Sequence, residues 1–264
     1  MQPLAVVGPP AADTGGLVEH LAERLAEHGR VGTVSNGSAQ RMTDADGAVA
    51  RRYRIGDDGW QATGGSLALS DALARLAPDC EYALVEGWPD SRLPTVALGG
   101  VEAETVHHRV PDADSVDIGA LVETVETVEP YETLGSLVAQ VKRSPRSDRA
   151  GAIATFTGRV RARDGPDDDP TEYLEFERYD AVADERMASL REELETRDGV
   201  YEVRLHHRRG VVEAEKDIVF VVVLAGHRPE AFRTVEDGID RLKREVPLFK
   251  KEVTVEGEFW AHEH

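Results

Sequence analysis

The apolar positions of this chain follow two rhythms that change near its middle. LAVVG (4–8), VGTVS (31–35) and YALVEG (82–87) are short apolar runs bounded by turn-forming and polar residues, and they predict strands. Between them, LVEHLAERLAEHG (17–29) sets Leu17, Leu21 and Leu25 at helical spacing and stops at Gly29. SLALSDALARLA (66–77) predicts a second helix. Strands alternating with helices imply a parallel sheet covered on both faces, a Rossmann-like α/β domain. From 112 to 130 the text (PDADSVDIGALVETVETVEP) is polar, with one short amphipathic stretch, and Pro130 stops it. The junction falls there and divides the chain into 1–122 and 123–264.

Beyond the junction the pattern is that of an α+β domain with a mixed or antiparallel sheet. TLGSLVAQVKR (133–143) reads as a helix, GAIATFTGRV (151–160) as a strand, and TEYLEFERY (171–179) alternates as a strand does. DAVADERMASLREELETRDG (180–199) is a long helix ended by Gly199, and YEVRLHHRRG and DIVFVVVLAGH follow as two strands. PEAFRTVEDGIDRLKREV (229–246) is a helix with Pro229 in its first turn and Pro247 after its end. EVTVEGEFW is a last strand, and ARDGPDDDP (162–170) an exposed loop with an Asp run at its tip.

Composition narrows the class. The 264 residues suffice for two compact domains, and 41% hydrophobic residues without any apolar run of 18 exclude a membrane span. Residues 1–8 lack the basic start and apolar length of a secretory signal, so the expected location is the cytoplasm. Fifty acidic against 31 basic side chains give a net charge of −19, and both halves of the chain are acidic. No basic face is on offer for nucleic acid. Uniform acidity with scarce lysine suits a cytoplasm of very high salt. Cys80 is the single cysteine, which excludes an internal disulfide and a Cys-x-x-Cys pair, and in CEYALVEG it reads as a small buried hydrophobe. His206-His207 reads as a strand edge, since no further ligand stands at metal spacing. No metal or cofactor set emerges.

Lysine usage changes the picture most. The chain has five lysines, and Lys243, Lys250 and Lys251 fall within nine residues, in RLKREVPLFKKE. Arginine supplies positive charge almost everywhere else. A cluster of the avoided residue implies that a primary amine is needed, because an ammonium can be tuned by burial and a guanidinium cannot. Against this stands Lys243 as an exposed helix residue paired with Asp240 or Glu245.

Three segments, GAIATFTGRVR (151–161), AGHRPEAF (225–232) and RLKREVPLFKKE (241–252), together resemble the large, catalytic subunit of molybdopterin synthase. The resemblance implies an α+β domain of the α/β-hammerhead type. It implies conversion of cyclic pyranopterin monophosphate to molybdopterin by insertion of two sulfurs. The sulfur source would be a thiocarboxylate on the C-terminal Gly-Gly of a small ubiquitin-like subunit, and the assembly a homodimer flanked by two such subunits. The family's catalytic lysines match Lys243 and Lys250, its pterin-phosphate arginine Arg161, and its His-Arg pair His227-Arg228. Arg159, two residues from Arg161 on the same strand face, is a second phosphate contact or a surface ion pair. Lys251 joins the candidate substrate contacts, although strand alternation turns it from Lys250 and Glu252 can pair with it. A neutral Lys243 would serve as base or nucleophile; a charged one would stabilise the oxyanion formed at the thiocarboxylate carbonyl. Lys250 is the electrostatic and positioning group.

LAVVGPPAADTGGLVEHLAERL (4–25) and YALVEGWPDSRLP (82–94) resemble the P-loop adaptor protein of molybdopterin-guanine dinucleotide biosynthesis. A working loop needs G-x-x-x-x-G-K-[ST]. Counting from Gly8, Asp13 and Thr14 replace the Gly and Lys, and Gly15 and Gly16 stand where hydroxyl residues belong. The expectation is a degenerate P-loop domain without nucleotide hydrolysis, with Glu86 a remnant of a magnesium site. The alternatives to an enzyme are a non-catalytic docking module for a ubiquitin-like protein and a nucleotide-binding adaptor.

Overall fold

The computed structural model describes residues 1–37, 50–163, 165, 168–254 and 257–261. His262 and His264, expected in a frayed tail, and Asp167 of the Asp run lie outside the described residues. Two compact units divide at Glu132 and Thr133.

The first unit is built from β1 (Gln2–Val7), α1 (Thr14–Leu25), β2 (Val31–Ser35), β3 (Arg51–Gly56), β4 (Gly59–Gly64), α2 (Leu69–Leu76), β5 (Tyr82–Glu86), β6 (Thr95–Leu98), β7 (Val106–Val110) and α3 (Ile118–Thr127). Its sheet runs β2-β5-β1-β6-β7 with every pairing parallel. Alternation along β1 explains how both faces are covered. Leu4 and Val6 pack with Leu17, Leu21 and Leu25 of α1 and Leu121 and Val125 of α3, while Ala5 packs with Leu73 of α2 on the other side. The amphipathic stretch at 118–127 is therefore core of this unit, and the division falls ten residues beyond the 122/123 junction read from the sequence. The β3–β4 hairpin forms its own two-stranded sheet and leaves Tyr53, Ile55 and Trp60 exposed.

The second unit contains α4 (Leu134–Lys142), β8 (Ala152–Arg159), β9 (Thr171–Arg178), α5 (Asp180–Glu195), β10 (Val200–His207), β11 (Gly210–Glu213), β12 (Asp217–Ala225), α6 (Arg228–Glu245), β13 (Leu248–Thr254) and β14 (Gly257–Ala261). Two antiparallel sheets result, β10-β12-β8 and β11-β9-β13-β14. On β12, Val219, Val221 and Val223 face a core shared with α5 and α6. The intervening Phe220, Val222 and Leu224 face α4. The segment expected as one closing strand is instead the hairpin β13–β14, paired from Lys250↔Ala261 to Thr254↔Gly257.

Helix α6 carries the most weight for the site. Its buried residues Ala231, Thr234, Val235, Gly238, Ile239 and Leu242 recur at helical spacing. At Gly238 an added Cβ would lie 3.2 Å from Val221 Cγ1, so the helix sits close on β12. Val246 caps the helix by donating its N–H to Leu242, and Pro247 turns the chain directly into β13.

Candidate active site

A cavity of about 390 Å³ opens where the end of α6 meets β8, β9, β10 and β13. Its apolar wall is Phe156, Leu174, Phe176, Ile218, Val219, Ile239, Leu242 and Leu248. The row His207–Val219–Gly158 runs straight across the three-stranded sheet. At Gly158 an added Cβ would stand 2.6 Å from Val219 Cγ1. The missing side chain keeps that part of the cavity open.

Four of the seven candidate residues line this cavity: Arg159, Arg161, Lys243 and Lys250. Arg159 is exposed, donates a hydrogen bond to the Glu215 carbonyl and stands 3.6 Å from Asp217. It is thus both an ion pair and a wall residue, so the two readings of it are compatible. Arg161 lies at the exposed mouth just beyond β8. Lys243, in the last turn of α6, is exposed, and Lys250 on β13 is half-buried. Glu245 is engaged by Arg241 and Arg244, so the pairing weighed for it with Lys243 is replaced by these arginines.

The other three candidates are elsewhere. Lys251 alternates away from Lys250 on β13, opposite Glu175, and is outside the cavity wall. Glu252, expected to pair with it, lines the cavity and accepts a hydrogen bond from Thr171 Oγ1 at 2.5 Å. His227 and Arg228 begin α6 and are exposed. Arg228 and Lys243 are separated along α6 by roughly 22 Å, at about 1.5 Å per residue. One copy of the chain does not bring the two ends of this helix to one substrate.

The helix end that carries Lys243 is clamped. Arg241 donates from Nε to Glu245 at 2.8 Å and from its terminal nitrogen to Glu193 of α5 at 2.6 Å. The hydrogen bond from Arg241 holds the Glu245 carboxyl down to about 2, and the two carboxylates push the Arg241 guanidinium further up. A fixed last turn aims Lys243 consistently.

His206 and His207 end β10, an edge strand of its sheet, as the sequence pattern predicts, and their side chains part to opposite faces. His206 stacks with Phe220 on the α4 side, whereas His207 is buried, lines the cavity and meets the Phe176 ring edge-on at 4.8 Å. The signal was present in the alternation: His207 continues the inward row Val203, Leu205. Four cations and one carboxylate around an apolar-walled space form a positive site in a chain of net charge −19. Such a site attracts and orients an anion.

In the first unit, Asp13 caps α1 by accepting from the Gly16 N–H at 2.8 Å. Thr14 Oγ1 donates to Glu86 Oε1 at 2.7 Å. A carboxylate of the chain itself therefore occupies a donor at the helix start where a P-loop would hold phosphate. Cys80 is half-buried, and burial pushes its thiol up, away from reactivity. Among the described residues no helix is long and apolar enough to cross a membrane.

Residues 130–245 match the family described as MoaE protein. A probable molybdopterin synthase of Haloferax volcanii is 52% identical over 266 residues, spanning 100% of both chains. The molybdopterin synthase catalytic subunit of Pyrococcus abyssi is 39% identical over 114 residues, 43% of this chain and 76% of its own. Among solved structures, a MobB protein homolog from Bacillus stearothermophilus is 24% identical and covers 48% of this chain and 99% of its own, with a TM-score of 0.38.

Proposed function

The chain belongs to the molybdopterin synthase catalytic-subunit family of molybdenum cofactor biosynthesis, and from that premise we propose a specific reaction for its C-terminal unit. It moves sulfur from the C-terminal thiocarboxylate of a small ubiquitin-like carrier to cyclic pyranopterin monophosphate, building the dithiolene of molybdopterin. The observation that carries this reading is the gathering of Arg159, Arg161, Lys243 and Lys250 on one cavity.

Arg161 grips the substrate phosphate through paired N–H donors, and Arg159, braced by Asp217 and the Glu215 carbonyl, contributes a second charge. The apolar wall around Phe156 and Phe176 receives the pterin ring. Lys243 acts as a cation. Its ammonium stabilises the oxyanion that develops on the carrier's carbonyl, and Lys250 draws in the anionic tail. His227 and Arg228 reach the cavity of a second copy, which removes the conflict set by the length of α6. The working assembly is a homodimer with one carrier at each site, in the cytoplasm. The N-terminal unit keeps a P-loop-like fold without nucleotide turnover.

Reconstitution in molar salt with a thiocarboxylated carrier and cyclic pyranopterin monophosphate tests this. The parent chain forms dithiolene, and Lys243→Ala binds both ligands without forming product. Carrier binding without any product from the parent chain would instead make the cavity a docking surface, and undiminished product from Lys243→Ala would remove Lys243 from the chemistry.

A further inference from the structure

Glu252 is the carboxylate of the cavity wall, and no step above uses it. It shares one face of β13 with Leu248 and Lys250, at every second position, and all three line the cavity. Its Oε1 accepts from Thr171 Oγ1 at 2.5 Å, and Thr171 is 6% exposed. Oε2 has no partner among the described residues and is not one of their buried, unpaired oxygens, so it stays open to a ligand.

A half-buried carboxylate with one oxygen fixed and the other open is an acceptor set in place before the ligand arrives. It repels the anionic end of a substrate, which the cations of the same wall attract. The part of a ligand that reaches Glu252 therefore carries hydrogen-bond donors. Lys250 is opposite Phe176 and Glu252 opposite Leu174 on β9. The two side chains are separated along β13 by about 7 Å, at about 3.4 Å per residue, which is comparable to the length of a fused two-ring heterocycle. A pterin carries its phosphate at one end. At the other end is a 2-amino-4-oxopyrimidine edge, whose 2-amino group and N3–H point the same way. Two parallel N–H donors are the fork with which a guanidinium also meets a carboxylate.

We infer that Glu252 is a specificity-determining residue that reads this edge of the pterin, and that Thr171 is the positioning residue that holds the carboxylate for it. Oε2 accepts from one N–H. Oε1 has two lone pairs and accepts from Thr171 and from the second N–H together. The ring lies along Phe176, and the phosphate points to Arg161 at the mouth. The arrangement selects a 2-amino pteridine over a 2-oxo one, whose carbonyl oxygen faces the carboxylate. The inference rests on the pterin reading of the cavity.

The test compares 6-hydroxymethylpterin monophosphate with its 2-oxo (lumazine) counterpart by fluorescence titration of the full chain in molar salt. The parent binds the 2-amino compound about 10–100-fold more tightly, the worth of one charge-assisted hydrogen bond. Glu252→Gln keeps the Thr171 bond through its amide oxygen and presents an NH₂ group where Oε2 stood. Its preference vanishes or turns toward the 2-oxo compound, which a role in packing alone does not produce. Thr171→Val leaves the carboxylate unbraced and narrows the preference by a smaller factor. Equal binding of the two compounds by the parent, or an unchanged preference in Glu252→Gln, overturns the inference. So does a uniform weakening of both compounds in Glu252→Gln, or the failure of both variants to fold, since each assigns Glu252 to the joint between β9 and β13. If the parent binds neither compound yet forms dithiolene, this inference alone falls; if it also forms no dithiolene, the pterin reading itself fails and takes the inference with it.

Discussion

The length of α6 supports a prediction that can be worked through quantitatively. Arg228 opens the helix and Lys243 closes it, roughly 22 Å apart at about 1.5 Å per residue. If both act on one substrate, each site takes Lys243 from one copy and Arg228 from another. Lys243→Ala and Arg228→Ala then each inactivate both sites of their own dimer. When equal amounts of the two variants are dissociated and reassembled, about half of the dimers are mixed, following the symmetry of a two-fold pair. Each mixed dimer has one site with both residues intact and one with neither. Dithiolene formation therefore recovers to about a quarter of the parental rate per chain. The assay is product formation by the mixture after reassembly, with each variant alone as control. Recovery that never exceeds the controls, although mixed dimers are present by native mass spectrometry, would refute the shared site.

Other consequences are more local. Arg241→Gln removes the clamp on α6 at a cost of about 1 kcal/mol in chemical unfolding at neutral pH, a value kept small because Glu245 is a third exposed and solvent screens the pair. The Glu245 carboxyl is depressed in the folded state, so its stabilisation is complete above 4.5 and is lost as pH falls toward about 2; the difference between parent and variant shrinks across that window. Gly158→Val places methyl groups against Val219, costs about 1–3 kcal/mol by overpacking, and weakens pterin binding more than carrier binding in calorimetry. Titration with GTP in molar salt gives no binding heat, since the Asp13 carboxylate already accepts from the Gly16 N–H; a stoichiometric heat would show that the loop still takes phosphate.

The elements legible from sequence were those whose own residues carry the pattern. Ala231, Val235, Ile239 and Leu242 mark one face of α6, and Pro229 and Pro247 bracket it. The strands β1, β2 and β5 stand out as apolar runs between turn residues. What escaped was short or at an edge. β6 has four residues, all buried, and β7 alternates as VHHRV with two histidines and an arginine. The β3–β4 hairpin exposes its aromatic residues, so burial leaves no periodic trace in it despite the Asp57-Asp58 turn between paired Gly56 and Gly59. The polarity around α3 masked Leu121 and Val125, which shifted the junction.

The site divides in the same way. The lysine cluster was visible because it departs from the composition of the whole chain. The inward turn of His207 was legible in the alternation of β10, but its place beside Lys243 and Lys250 was not, because the cavity is lined by residues far apart in the chain. Helix length alone was enough to separate His227-Arg228 from Lys243, a geometric fact available in the sequence once α6 was recognised.

The central claim is that the Lys243 and Lys250 amines of RLKREVPLFKKE face the tail of an incoming carrier. The chain has five lysines, so a zero-length carbodiimide coupling of the carrier's C-terminal carboxylate, mapped by mass spectrometry, reads this out directly. The account predicts an amide at Lys243 or Lys250. Coupling confined to Lys142, Lys216 or the N-terminus, with the carrier demonstrably bound, would contradict it.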